Sequence, residues 1–289
     1  MGAAPAVAAA GVAGGGRRRS VGGVHGTGVG PLLADWRARR RRSQLDLAHE
    51  IGVSPRHLSF VETGRSTPSP EVVLAVARGL DVPLRERNAL LLAAGYAPRY
   101  AETALDDPSM ARVRSTLQRL LDAHDPYPGV VIDRRWDVVV ANRAAALLSA
   151  GLPRSVTGPP LNVFRACLHP EGLAPRTANL AAWATYLLTT LHRLVVATGD
   201  DHLLALEAEV TAYPDIAAIA AGDRWRDPDD PPLLVPLQLE VDGVELALFS
   251  TLTTFGTPTD ITLSELSVEL FFPADDETEA LLHAAAPAG

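Results

Sequence analysis

Residues 37–65, RARRRRSQLDLAHEIGVSPRHLSFVETGR, decide the fold of the first third of the chain. Ser43 stands where a helix N-cap is needed, with Asp46 three residues on as its partner. Leu45, Ala48 and Ile51 are predicted to line the inner side of that helix. Gly52 stops it, because a tight turn needs the left-handed backbone that glycine adopts without strain. Ser54 caps the next helix, and Pro55 takes its first position, where no backbone donor is lost. Leu58 and Val61 form the core face of this helix. Two helices joined by a turn this short cross steeply and need a small residue at the contact, which Ala48 supplies.

Outward from this stretch the same signals repeat. Leu32, Leu33 and Trp36 share one face of a preceding helix over 31–42. Ser69-Pro70 starts another, with Val72, Val73, Val76 and Leu80 inside. A last helix follows Pro83 with Leu84 and Leu90, Leu91 and Leu92. Residues 31–98 therefore read as an all-α head of five helices. Residues 1–30, rich in Ala, Gly and Val and carrying Arg17-Arg18-Arg19, cannot bury enough surface to offset chain entropy and are expected to be a disordered tail.

Residues 99–109 are polar and bounded by prolines, which reads as a linker with a short docking turn. Residues 110–274 form a second, α+β unit. It has a helix over 110–123, strand-turn-strand from Val130 to Ala141, and a helix start at Asn142. Helices over 176–197 and 200–212 follow. Asp242-Gly243 joins two strands, 233–241 and 244–254, as a hairpin. Residues 260–273 fit either a helix or a strand. Residues 275–289 are expected to be a frayed tail.

All 26 basic residues are arginine, and the net charge is −8. That figure hides a division. Residues 1–100 carry 14 Arg against 7 acids, and the rest carries 12 against 27. A basic head on an acidic body suggests a nucleic-acid-binding surface at one end only. One cysteine, Cys167, excludes an intrachain disulfide framework and reads as a small buried hydrophobe. None of the eight histidines stands at a metal-ligand spacing, and no nucleophile, phosphate-loop or dinucleotide motif occurs. No enzymatic activity, metal or cofactor is expected. The uncharged run 177–192 is short for a membrane span and fits a buried helix. Arg17–Arg19 follow rather than precede the weakly apolar start, the reverse of an export signal. The expected location is the cytoplasm.

If Leu58 and Val61 face the core, Ser54, Arg56, His57, Ser59 and Phe60 face outward, where they would enter a major groove. Arg56, near the helix start, is placed for guanine readout. Phe60 either contacts thymine methyls or packs against the next helix. The stretch from about 31 to 80 resembles the Xre/Cro-type helix-turn-helix family of repressors, with Arg37, Ser43-Gln44, Leu47-Ala48, Ile51-Gly52-Val53-Ser54, Leu58, Val61-Glu62 and Gly64-Arg65 as its carriers. The resemblance implies a double-stranded DNA operator. Gln44 would donate to a phosphate, Pro55 and residues through Phe60 would face bases, and Arg65 would hold a phosphate beyond the helix. Arg37 and Glu62 would form an internal ion pair. Such heads usually act in pairs on half-sites one helical turn apart, so a homodimer is expected, its interface in the C-terminal unit.

Residues 84–274 resemble the MmyB-like regulator ligand-binding domain. The resemblance rests on Leu84 to Pro98, Val131 to Trp136, Ala141 to Ala144, Asn162 to Arg165, Leu168 to Leu173 and Phe255 to Pro258. It implies a PAS-like fold around a pocket for a small, apolar, fatty-acid-like ligand. Trp183 and Leu187 on a buried helix would wall such a pocket. Asn142, Arg165 and His169 would orient the ligand, Arg165 through a carboxylate head group. For each of these three a structural role stays open, Asn142 as a helix cap and the other two on backbone carbonyls. The alternative for the whole unit is dimerisation or partner binding without a ligand.

Overall fold

The computed structural model describes residues 28–222, 225–226, 233–241 and 243–285. Most of the expected N-terminal tail, including Arg17–Arg19, lies outside the described residues, as does Asp242. The head consists of α1 (Val29–Arg39), α2 (Gln44–Glu50), α3 (Pro55–Glu62), α4 (Pro70–Gly79) and α5 (Leu84–Ala93). Its starts are the expected ones. Ser43, Ser54 and Ser69 accept hydrogen bonds from the backbone N–H of Asp46, His57 and Val72. Asp46 takes the Ser43 hydroxyl at 2.7 Å as well.

Leu33, Leu47, Leu58, Val61, Val73 and Leu91 fill the core between these helices. Two expected core positions are corrected. Leu45 is 53% exposed, because Leu47, Ala48 and Ile51 share the inner arc of α2 and Leu45 falls outside it. Leu92 is 59% exposed, one position past the inward pair Leu90 and Leu91. Helix α1 begins earlier than expected, and Gly30 explains how. A Cβ there would stand 2.4 Å from the Val61 carbonyl oxygen, so α1 crosses the end of α3 at a distance only glycine allows. Gly52 takes φ +73° in the turn between α2 and α3.

The C-terminal unit is α+β and PAS-like, as expected. It opens with α6 (Ala111–Asp122), β1 (Gly129–Ile132), β2 (Val138–Ala141), α7 (Arg143–Ser149), α8 (Arg154–Thr157) and α9 (Val163–Leu168). Then come α10 (Leu180–Thr198), α11 (Asp201–Thr211), α12 (Pro214–Ala220), β3 (Leu237–Val241) and β4 (Val244–Thr254). It closes with α13 (Ile261–Glu265), β5 (Ser267–Pro273) and α14 (Asp276–Ala285). The five strands form one antiparallel sheet in the order β2-β1-β5-β4-β3. The ambiguous stretch 260–273 is a helix and then a strand.

Successive residues of β1 point to opposite faces of the sheet. Val130 and Ile132 join Phe164, Leu187 and Leu191 in one core, and Val131 joins Leu117 and Leu121 of α6 in another. Helix α10 is long and apolar enough to cross a membrane by composition, but its Trp183, Ala184, Leu187, Leu188 and Leu191 are buried in the first of these cores. The expected frayed tail is corrected. α14 folds back, buries Thr278 and packs Leu282 on Leu246 and Leu248.

Candidate nucleic-acid interface and ligand cavity

Helix α3 buries Leu58, Val61 and Glu62 and turns the rest of its surface outward. Ser54 and Arg56 are exposed, and Pro55, His57, Ser59 and Phe60 are half-buried. Ser54 accepts from His57 N–H at 3.1 Å and is therefore engaged as the cap. The Phe60 ring carries the Arg56 guanidinium 5.2 Å from its centroid and the Arg65 guanidinium at 5.9 Å. Such contacts are worth roughly 0.5–1 kcal/mol at exposed sites. Neither arginine is paired with a carboxylate among the described residues. One aromatic ring thus steadies two free cations on the outer face of α3.

Behind this face Arg37 meets Glu62 in a bidentate pair, Nε to Oε1 at 2.7 Å and Nη2 to Oε2 at 2.8 Å. Gln44 donates its side-chain amide to Glu62 Oε2 at 2.6 Å. Burial would raise the Glu62 carboxyl, but the hydrogen bonds from Arg37 and Gln44 outweigh it and hold it below its ordinary value. The Gln44 amide was expected on a DNA phosphate. One of its two N–H groups is engaged with Glu62, a buried carboxylate and a strong local acceptor.

In the C-terminal unit a cavity of about 100 Å³ lies between the sheet and the helices, its wall almost wholly apolar. Val130, Val138, Leu187 and Phe271 are among its lining residues, with Cys167 and Trp183. Its one charged lining group is Glu269 of β5, which is 3% exposed. Ser250 donates to Glu269 Oε1 at 2.8 Å, and Oε2 has no partner. Burial pushes this carboxyl up to about 7. The Trp183 indole N–H has no oxygen or nitrogen partner either and faces the Cys167 sulfur, a weak acceptor.

Helix α7, none of whose residues is buried, supplies Ala145, Leu148 and Ser149 to the cavity wall. Its other side borders an outer groove of about 610 Å³ with Leu147, Leu246 and Leu282, and with Arg143 and Arg176.

The structure brings Trp183 and Leu187 together in the cavity. It does not bring Asn142, Arg165 or His169 there. Asn142 Oδ1 accepts from the N–H of Gly129 and Ala145, and its amide donates to the carbonyls of Tyr127 and Leu121, which ties β1 to the start of α7. Arg165 is paired with Glu209 at 2.8 and 2.7 Å. His169 Nδ1 accepts from Glu171 N–H at 3.0 Å. Asn142 is the helix cap that its place in the sequence left open, and His169 bonds only two residues on. Arg165 alone is taken by a distant partner that local spacing did not reveal. Glu269 escaped the sequence reading, yet it has a signal. It is the single acid in the run Ser267–Phe272, two residues before Phe271 and so on the same side of the strand.

The two units are joined by charge. Arg85 of α5 donates to both oxygens of Glu265 and both of Glu102. Arg134 lies 3.1 Å from Asp200 and 3.9 Å from Glu265. The linker is docked rather than loose. Ile261 N–H donates to the Ala101 carbonyl, and Asp260 accepts from the N–H and hydroxyl of Thr103.

Comparison with known proteins agrees with this division. The helix-turn-helix family model matches residues 33–87, and the model for the MmyB-like transcription regulator ligand binding domain matches residues 113–285. No curated protein matches the chain. With more than half its length in that second match and the α3 face beside it, the chain belongs to the family of MmyB-like transcription regulators, DNA-binding proteins with an Xre-type helix-turn-helix head.

Proposed function

We propose that this DNA-binding regulator senses a small apolar molecule in the cavity between its sheet and α10. Its α3 face would read the operator, as a homodimer in the cytoplasm. The observation that carries the reading is the cavity itself, an apolar enclosure with a buried, half-satisfied carboxylate on its wall. Cores normally satisfy such groups, and ligand pockets combine apolar walls with a few placed polar ones. Arg56 would contact a base, Arg65 a phosphate, and Phe60 would hold both. Arg143 and Arg176 make the outer groove, not the cavity, the place that suits a fatty-acid carboxylate.

The joint of Arg85, Glu102 and Glu265 gives the ligand a route to the head. A ligand regulates only if it binds the DNA-competent and incompetent arrangements unequally. The test begins with selection of an operator from random duplex DNA. Thermal denaturation with a panel of apolar molecules follows, then operator binding with each hit at saturation. A hit that raises the melting temperature and shifts operator affinity supports the reading. A hit that leaves operator affinity unchanged leaves the C-terminal unit as a dimerisation module, which light scattering on the full chain would register.

A further inference from the structure

Resting on the sensor reading above, we infer that the cavity recognises a small apolar molecule by a hydrogen-bond-donating head, a hydroxyl or an amine, received by Glu269, and that it rejects carboxylates. Glu269 pairs in register with Val130 of β1 and Leu252 of β4, so it stands mid-strand with β5 flanked on both sides. Its backbone is fixed by that ladder, and its side chain is 3% exposed. Ser250 satisfies one oxygen, and the other meets the apolar enclosure.

Whether ionised or protonated, this group keeps acceptor capacity that nothing in the protein uses. A donor placed on the free oxygen removes the cost of leaving it bare, which is the larger part of a buried hydrogen bond's value. A carboxylate brought to the ionised Glu269 would meet a like charge in a low-dielectric site. The groups coupled to Glu269 by charge are Cys167 and Tyr186, and burial raises both, so neither offers a cation to offset that repulsion. Arg165, the cation expected here, is held by Glu209.

The second unpartnered group sharpens the choice. Trp183 lines the same cavity, and its buried N–H has only the weak Cys167 sulfur to give to. A hydroxyl can give to Glu269 and take from Trp183, and a protonated amine can only give, with charge in its favour. Size sets the rest. A dry apolar cavity of roughly 150 Å³ accommodates benzene, so one of about 100 Å³ suits a body of about four carbons.

The experiment titrates the full chain by calorimetry at pH 7.5 with three series, butyl to hexyl alcohols, amines and carboxylates. Alcohols or amines bind, and the carboxylates bind at least about tenfold more weakly. Glu269→Leu, which keeps the wall apolar, weakens the bound series by at least about tenfold. Glu269→Gln separates the two heads, since amines then lose affinity while alcohols keep theirs, and it serves as the test if the leucine variant does not fold. Ala145→Leu fills the cavity from α7 and abolishes binding of every series. Carboxylates binding as tightly as the other two, or binding indifferent to both Glu269 variants, overturns the head-group assignment and leaves the sensor reading standing. Failure of all three series to bind overturns both, and operator binding without ligand then shows what remains of the DNA-binding role.

Discussion

Arg85 of α5 and Glu265 of α13 are tied by two hydrogen bonds of 2.8 and 2.9 Å, and Glu265 lies four residues before Glu269 on the chain. Four extended residues span about 13 Å. The last helix of the head is therefore fastened to the start of the strand that forms the cavity wall. Arg85→Ala leaves Glu102 and Glu265 facing each other without their shared cation. It should lower stability by roughly 1–2 kcal/mol, since the cluster is partly open to water. It should also split calorimetric unfolding into two transitions, head and body. A single transition at the parent temperature would show that the joint carries no load.

On the outer face, Arg56→Ala should cost about 1–3 kcal/mol at one base pair of the operator and relax preference there. Arg65→Ala should weaken all sequences alike and reduce the salt dependence by about one phosphate contact. Phe60→Ala keeps both charges but removes the ring that orders them, so it should lower affinity by roughly 1 kcal/mol with the salt slope unchanged. Binding measured on the operator and its single-base variants over a range of salt separates the three. Equal loss on every sequence for Arg56→Ala removes it from base readout.

Beneath that face, Glu62 holds Arg37 and Gln44 together. Glu62→Ala leaves the Arg37 guanidinium partly buried without its carboxylate. A loss of about 3 kcal/mol is expected, at the lower end for a broken buried pair because Arg37 retains some contact with water. Denaturant unfolding of the full chain reads this directly, and an unmoved midpoint would falsify the structural role given to the pair.

The Glu269 carboxyl sits at about 7 in the folded protein, against an ordinary 4.5. The native state therefore holds this proton more tightly than the unfolded chain. Its contribution to stability is full below about pH 4.5 and is lost as pH rises to about 7, a change of roughly 3 kcal/mol. The neighbouring Cys167 thiol and Tyr186 phenol are both raised and stay neutral through this window. Stability measured from pH 5 to 8 should fall more steeply in the parent than in Glu269→Gln. Parallel curves would mean that the carboxyl is hydrated in solution.

The head was largely legible in its sequence, because its information is local. Caps at Ser43, Ser54 and Ser69 declare themselves within four residues, and the apolar spacing of Leu58 and Val61 orients α3. The cavity was legible only where periodicity sufficed, as with Trp183 and Leu187 on α10. Partnerships across the chain were not. Arg165 is 44 residues from Glu209, and Arg85 is 180 residues from Glu265. No spacing rule links such pairs, so the choice for Arg165 between a ligand and a backbone carbonyl did not include Glu209. The contact of Gln44 with Glu62 was hidden for the same reason, since only the folded head brings Glu62 beneath it.

The single cysteine of the chain gives the cavity a clock. Cys167 lies in its wall, and burial, reinforced by the Glu269 charge, pushes the thiol up to about 12. Alkylation needs a thiolate and access to it, and burial withholds the first and leaves Cys167 only 8% exposed. Modification of the native chain must therefore wait for the enclosure to open, and its rate counts those openings. With no second thiol to confuse the signal, slowing of that rate by a bound molecule would measure how firmly the occupant shuts the door behind itself.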